Sequence, residues 1–145
     1  MERSFHILLY RAFHIQRKWV RAGMQKLGVG AGQPKLLVYL SAHGPCHQRE
    51  LANYFDVDPA NVSRMMDSLE KGGFVVRRVD EQNRRRDLVE VTEKGRQAGE
   101  AWRTRCQEVE ETMLRGFAPE EREHFADYLL RAYQNVLEET GRDQT

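Results

Sequence analysis

Apolar residues recur at helical spacing from the start of the chain, at Ile7, Tyr10 and Phe13, and no proline occurs before residue 34. Recurrence every three to four residues marks one face of a helix. The pattern predicts a first helix from Glu2 to about Leu27, roughly 39 Å long at about 1.5 Å per residue. The run Gly28-Val29-Gly30-Ala31-Gly32 closes it with a loop. A second helix is expected from Gln33-Pro34, burying Leu36, Leu37 and Leu40 and stopping at His43-Gly44-Pro45. Glu50 to Phe55 reads as a short third helix with Leu51, Ala52 and Phe55 inward. Asp58-Pro59 then gives a strong start signal, a side-chain acceptor before a proline at the first helical position. The fourth helix runs to Lys71 and ends at Gly72-Gly73.

The period then changes. Phe74 to Val79 and Leu88 to Val91 are apolar, β-branched runs, and Asp80 to Asp87 between them is polar. This predicts a β-hairpin with a long charged tip. Thr92 is placed to cap a fifth helix with the stripe Ala98, Ala101/Trp102, Val109 and Met113, near a coiled-coil period. Gly116 interrupts, and Pro119-Glu120-Glu121 opens a sixth helix with acids at the positive end of its dipole. Its buried side is expected to be Phe125/Ala126, Leu129/Leu130, Tyr133 and Val136/Leu137.

Composition narrows the functional classes. At 145 residues the chain suggests one domain, with 31% charged residues. No apolar run reaches the length of a signal-peptide core or of a membrane span, which needs about 20 residues, so a cytoplasmic protein is expected. The two cysteines, Cys46 and Cys106, have no CxxC spacing, which fits a reducing compartment better than a disulfide framework. Net charge is +1, but it is polarised: residues 1–42 carry +6, residues 43–96 balance to zero, and residues 97–145 carry −5. Any affinity for an anionic partner must therefore come from local placement.

The fourth helix supplies such placement. Val62, Met65, Met66 and Leu69 share one face, while Ala60, Ser63, Arg64, Asp67 and Lys71 share the other. A helix seated in a DNA major groove needs that division, one side held on the fold and one free to meet base edges. Base contacts are expected from its N-terminal half, from Asn61, Ser63 and Arg64, with Pro59 and Ala60 against thymine methyl groups. The hairpin adds Arg77, Arg78, Arg84, Arg85 and Arg86, opposed locally by Asp80 and Glu81. Arginines at a wing tip suit the negative potential of a narrow minor groove and the flanking phosphates. The unit from His47 to Val91 thus reads as a winged helix-turn-helix, in a fold that is mainly α with a small β-wing.

These residues resemble the MarR (multiple-antibiotic-resistance regulator) family of transcription regulators. The run from Val62 to Val75 is similar to that family's recognition helix and its exit into the wing. Asn83-Arg84-Arg85, followed by Leu88-Val89-Glu90-Val91-Thr92-Glu93-Lys94-Gly95, is similar to its wing signature. Asn83 stands where the family often has Asp, an acid that pairs with the arginine two places on, here Arg85. Val91 replaces a leucine.

The resemblance implies one domain over 1–145, with 33–92 as the DNA-binding region and the N- and C-terminal segments 1–32 and 93–145 as dimerisation helices. It implies a homodimer on a pseudo-palindromic double-stranded DNA operator, more often a repressor than an activator. It also implies control by a small aromatic or anionic effector, for which Tyr10, Phe13, Arg17 and Tyr39 are the candidate pocket residues.

His43, Cys46 and His47 are metal-capable groups within five positions, but they lack helical spacing and accompanying acids, so no metal or cofactor is expected. Cys46, before a helix and near basic residues, is the candidate if the protein senses oxidants, which requires an exposed thiol of lowered pKa. A winged helix used for protein contacts alone would not need the arginine tip. No nucleophile motif, phosphate loop or framed carboxylate pair supports an enzyme.

Overall fold

The computed structural model describes residues 3–142, with Arg85, Arg86 and Arg142 described by their backbone alone; Glu2, the expected start of the first helix, lies outside them. Six α-helices and three strands follow in chain order: α1 (Phe5–Ala22), α2 (Pro34–His43), β1 (Cys46–His47), α3 (Gln48–Phe55), α4 (Pro59–Lys71), β2 (Val75–Asp80), β3 (Asn83–Val91), α5 (Glu93–Met113) and α6 (Pro119–Arg142). The chain forms two compact units, Met1–Val109 and Glu110–Thr145.

The first helix is shorter than its apolar period suggests, and a long-range contact explains why. The Arg105 guanidinium donates to the Trp19 carbonyl at 2.9 Å and lies over the Trp19 ring. That carbonyl would otherwise accept the Gly23 N–H, which turns instead to Val20 O at 3.2 Å. A separate 3₁₀ turn, Gln25–Leu27, ends at Gly28 with φ +73°. The third helix begins two residues earlier than expected, at Gln48, and its Phe55 is only half-buried.

The core of the first unit joins the expected faces. Leu36, Leu37 and Leu40 of α2 meet Leu51 and Ala52 of α3, Val62, Met66 and Leu69 of α4, and Ala98 of α5. Phe74, Val75, Val89 and Val91 close it from the sheet, whose order is β1-β3-β2 with antiparallel pairings.

The hairpin differs from the expected long polar tip. Its loop is only Glu81-Gln82, because Asn83 to Asp87 belong to β3. Pairing runs regularly from Val75↔Val91 to Val79↔Asp87 and then jumps to Asp80↔Asn83. One step along β2 thus matches four along β3, and Arg84, Arg85 and Arg86 occupy the excess. Such an irregularity bends and twists a strand locally.

In the second unit, the Glu121 carboxylate accepts the Ala118 N–H at 2.8 Å, capping α6, and Arg122 pairs with Glu111 at 2.9 Å. Among the described residues, the expected buried side of α6 is exposed. Phe125, Ala126, Leu129, Leu130, Tyr133, Val136 and Leu137 are all exposed. Helical periodicity identifies an apolar face but not what covers it.

Candidate nucleic-acid interface

The turn between α3 and α4 is set by three local features. Asp56 takes a left-handed conformation at φ 52°, and Val57 N–H returns to Ala52 O. Asp58 then accepts the Ala60 N–H at 2.8 Å, capping α4 as its sequence predicts. Val62, Met66 and Leu69 anchor the inner face, leaving Pro59, Ala60, Asn61 and Arg64 exposed at the helix start, with Ser63 half-buried. Arg64 donates to the Asn61 side-chain oxygen, so the two groups expected to read bases are already held together.

A second set of contacts fixes the wing to that helix. Gly73, at φ +79°, turns the chain out of α4. Thr92 then closes on this exit: its N–H donates to Phe74 O at 3.0 Å and its hydroxyl to Gly73 O at 2.7 Å. The same hydroxyl accepts the Gly95 N–H at 3.1 Å, capping α5. Lys94 donates to Gly72 O at 2.7 Å and lies over the Phe74 ring. The Thr-Glu-Lys-Gly motif is therefore a clamp on the start of the wing.

The wing arginines divide by role. Arg84 is exposed on β3 beside the loop, and the side chains of Arg85 and Arg86 lie outside the described residues. Arg78 pairs with Glu90 across the hairpin at 3.3 Å. Arg77, counted among the DNA-contacting residues on sequence, is directed into the protein instead. Its guanidinium meets Asp67 of α4 at 2.8 Å and donates to Ser63 O at 3.4 Å, with its Nε buried. It braces β2 against α4; a sequence spacing of ten residues between two different elements gave no sign of that pairing. His47, which sequence reasoning did not place in the site, reaches from β1 to Asp80 at 3.1 Å.

The remaining candidates fall elsewhere. Tyr10 stacks on His14, and Arg17 lies over Phe13, along an exposed stretch of α1. Tyr39 belongs to a separate cluster, stacked at 4.0 Å on His43 and tilted at 4.7 Å against Tyr54, with its hydroxyl donating to Glu50 at 3.2 Å. Arg17 is nonetheless near the start of α2, where burial and then its charge lower the Lys35 pKa. An open cleft of about 430 Å³ lies between α2 and α5 instead, lined by Val38, Ser41, Ala42, Arg96, Glu100 and Arg103 among others.

Cys46 lacks the properties of an oxidant sensor. It is 4% exposed, and burial, followed by the Glu50 charge, pushes its thiol up to about 12. A sensor needs the opposite shift. His43, Cys46 and His47 also part company: His43 turns back to Tyr39 O, Cys46 enters the core and His47 faces the wing.

The comparisons with known proteins bear on this geometry. The MarR family model matches residues 31–86, from the loop before α2 to the wing. An uncharacterized HTH-type transcriptional regulator of Bacillus subtilis (strain 168), YwoH, is 30% identical over 110 residues, spanning 76% of this chain and 79% of the relative. The chain belongs to the MarR family. Over 98% of both chains it is similar to a crystal structure of MarR, with TM-score 0.83 and 26% identity. A S. aureus MepR–DNA complex shares the fold at TM-score 0.86 and 24% identity, over 92% of this chain and 99% of that one. This MarR-family chain is thus a winged-helix transcriptional regulator rather than an enzyme. Among the described residues, no helix is long and apolar enough to cross a membrane.

Proposed function

We propose that this MarR-family regulator is a cytoplasmic repressor that binds a pseudo-palindromic double-stranded DNA operator as a homodimer. The reading is carried by the exposed Asn61–Arg64 pair on α4, held beside a wing whose register jump gathers Arg84, Arg85 and Arg86. The region 33–92 contacts DNA, and segments 1–32 and 93–145 form the dimer. Arg64, Asn61 and Ser63 meet base edges, with Pro59 and Ala60 against thymine methyls. Arg84 to Arg86 meet phosphates and the minor groove, while Arg77 acts through α4. Two-fold symmetry sets half-site centres roughly one helical turn, about 34 Å, apart. The MepR–DNA complex supports the docking by its shared fold alone.

A small aromatic or anionic effector modulates binding in this reading. The α2–α5 cleft sets Arg96 and Arg103, together with Glu93 and Glu100, beside an apolar wall of Val38 and Ala42, and the two guanidinium groups are proposed to receive the acid group of an amphipathic ligand. Tyr10, Phe13, Arg17 and Tyr39 lie outside the lining of that cleft; they are proposed as a separate set of effector contacts, which the approach of Arg17 to the start of α2 supports.

The test is selection of bound sites from a randomised duplex library, followed by titrations on the recovered site. Arg64→Ala should cost about 1–3 kcal/mol and relax preference at particular base pairs. Arg84→Ala should weaken all sequences alike and reduce the salt slope by about one phosphate. If neither variant changes binding, the reading face has been assigned to the wrong surface.

A further inference from the structure

His47 is the second residue of β1 and pairs with Leu88 of β3, which in turn pairs with Arg78 of β2. Paired positions share a face of the sheet, so the imidazole stands on the side that also carries Arg78 and, two residues on, Asp80. Its Nε2 is 3.1 Å from a carboxylate oxygen of Asp80, and its Nδ1 is 3.2 Å from the carbonyl oxygen of Asp87. Both neighbours are acceptors. A neutral imidazole has one N–H and can satisfy only one of them, whereas the imidazolium donates to both. The imidazolium thus has one hydrogen bond to these neighbours that the neutral ring lacks.

The location gives that proton a consequence. Asp80 and Asp87 stand on opposite strands, immediately at the jump from Val79↔Asp87 to Asp80↔Asn83 where Arg84, Arg85 and Arg86 leave the regular ladder. The other Asp80 oxygen accepts the Gln82 N–H at 3.0 Å, closing the loop. Through Asp80 and Asp87, His47 holds both strands at the base of the arginine segment.

We propose that His47, as imidazolium, is a positioning residue for the arginine wing, so that operator binding tightens as pH falls through its titration. This rests on the DNA-binding reading above. The charged residues on the elements beside it are Arg77, Arg78 and Asp80 on β2, Glu81 in the loop, Arg84, Arg85, Arg86, Asp87 and Glu90 on β3, and Arg49 and Glu50 on α3. Arg78 and Glu90 pair with each other, Glu50 accepts from Tyr39, and the Asp80 carboxylate is the one shown in contact with the ring. The sign follows from the donors: below the titration both bonds are made, and above it the Nδ1 lone pair faces the Asp87 carbonyl and one bond is lost. Imidazole titration falls in the neutral range, where a regulator experiences it.

The experiment compares operator affinity from about pH 6 to about pH 8 in the full-length wild type, His47→Gln and His47→Arg. Wild type should lose about fivefold more affinity over that range than His47→Gln, the scale of one partly exposed charged pair. His47→Arg, permanently charged and rich in donors, should keep the low-pH affinity throughout. Asp80→Asn, whose amide can accept from the imidazolium or donate to the neutral ring, lets both protonation states make both bonds and should flatten the profile as His47→Gln does. Parallel profiles in wild type and both His47 variants would overturn the proposal. Amide exchange at Gln82 and Asp87 in the DNA-free protein, followed over the same pH range, reads the wing directly. Protection that rises on acidification in wild type and not in His47→Gln supports the latch even if no operator binds, an outcome that would sink the DNA reading instead; pH-independent protection sinks the latch.

Discussion

Gly95 illustrates how a residue recognisable in a motif can owe its identity to an unseen partner. A Cβ on Gly95 would lie 2.1 Å from the Phe74 carbonyl oxygen and 2.7 Å from a Val91 methyl. The first obstacle is backbone, already engaged by the Thr92 N–H, and cannot swing aside. Gly95→Ala should therefore destabilise the fold by about 1–3 kcal/mol through overpacking. Gly141→Ala, where no atom of the described residues beyond its own helix neighbours lies within 4 Å of the added Cβ, should instead be neutral or slightly stabilising, since alanine is the better helix former by roughly 0.5–1 kcal/mol. Denaturant unfolding at one fixed protomer concentration separates them; equal effects would mean that the packing of α5 on Phe74 does not constrain the position. The sequence displays Thr92, Lys94 and Gly95 in a row. It does not display Gly72, Gly73 and Phe74 as their targets, because that contact exists only once the hairpin has brought Val91 back beside Val75.

At the level of elements, the helices were legible because burial of one face imposes a 3.6-residue period; α2 and α4 hold the residues that period selects against the core, whereas α5 buries Ala98 and Val109 of its expected stripe, half-buries Ala101 and Trp102, and leaves Met113 exposed. The wing was legible in existence but not in extent. Its arginines are polar, and polarity reports exposure to water, not whether the backbone pairs in a ladder. Asn83 to Asp87 are strand residues with side chains unsuited to a core. The same ambiguity leaves the role of Arg77 open on sequence, since charge alone cannot distinguish a guanidinium aimed at phosphate from one aimed at Asp67. The two roles differ in an observable. If Arg77 braces β2 against α4, Arg77→Ala should weaken operator binding while leaving the salt slope near the wild-type value, because no phosphate contact is removed. A double-mutant cycle with Asp67→Ala should give a coupling of about 0.5–1 kcal/mol in unfolding free energy, modest because Asp67 is largely exposed. A slope reduced by one phosphate, with no coupling to Asp67, would return Arg77 to the DNA.

For the molecule as a whole, the apolar residues left in water set the strongest constraint. On α1, Phe5, Leu9, Tyr10, Phe13 and Ile15 are exposed, and on α6 Tyr128, Leu130, Tyr133 and Val136 are each more than half exposed. Monomeric proteins rarely leave contiguous apolar patches of more than a few hundred Å² in solvent. The proposed dimer answers this cost by covering helices that a single core cannot reach, and the charge layout favours it. Segment 1–42 carries +6 and segment 97–145 carries −5, so a partner packing one against the other gains complementarity, though each exposed pair adds little. Burial then supplies most of the association energy, at about 25 cal/mol per Å² of apolar surface. Two consequences follow from that balance. Raising salt should shift the dimerisation constant only weakly, whereas Leu130→Glu, which places a charge on the α6 face, should move the protein to monomer at micromolar concentration. Sedimentation equilibrium of the two proteins at low and high salt measures both. A wild type that is monomeric under these conditions would remove the dimer and leave the apolar faces of α1 and α6 to another partner. A dimer that dissociates steeply with salt would place the association energy in the charges rather than in those faces.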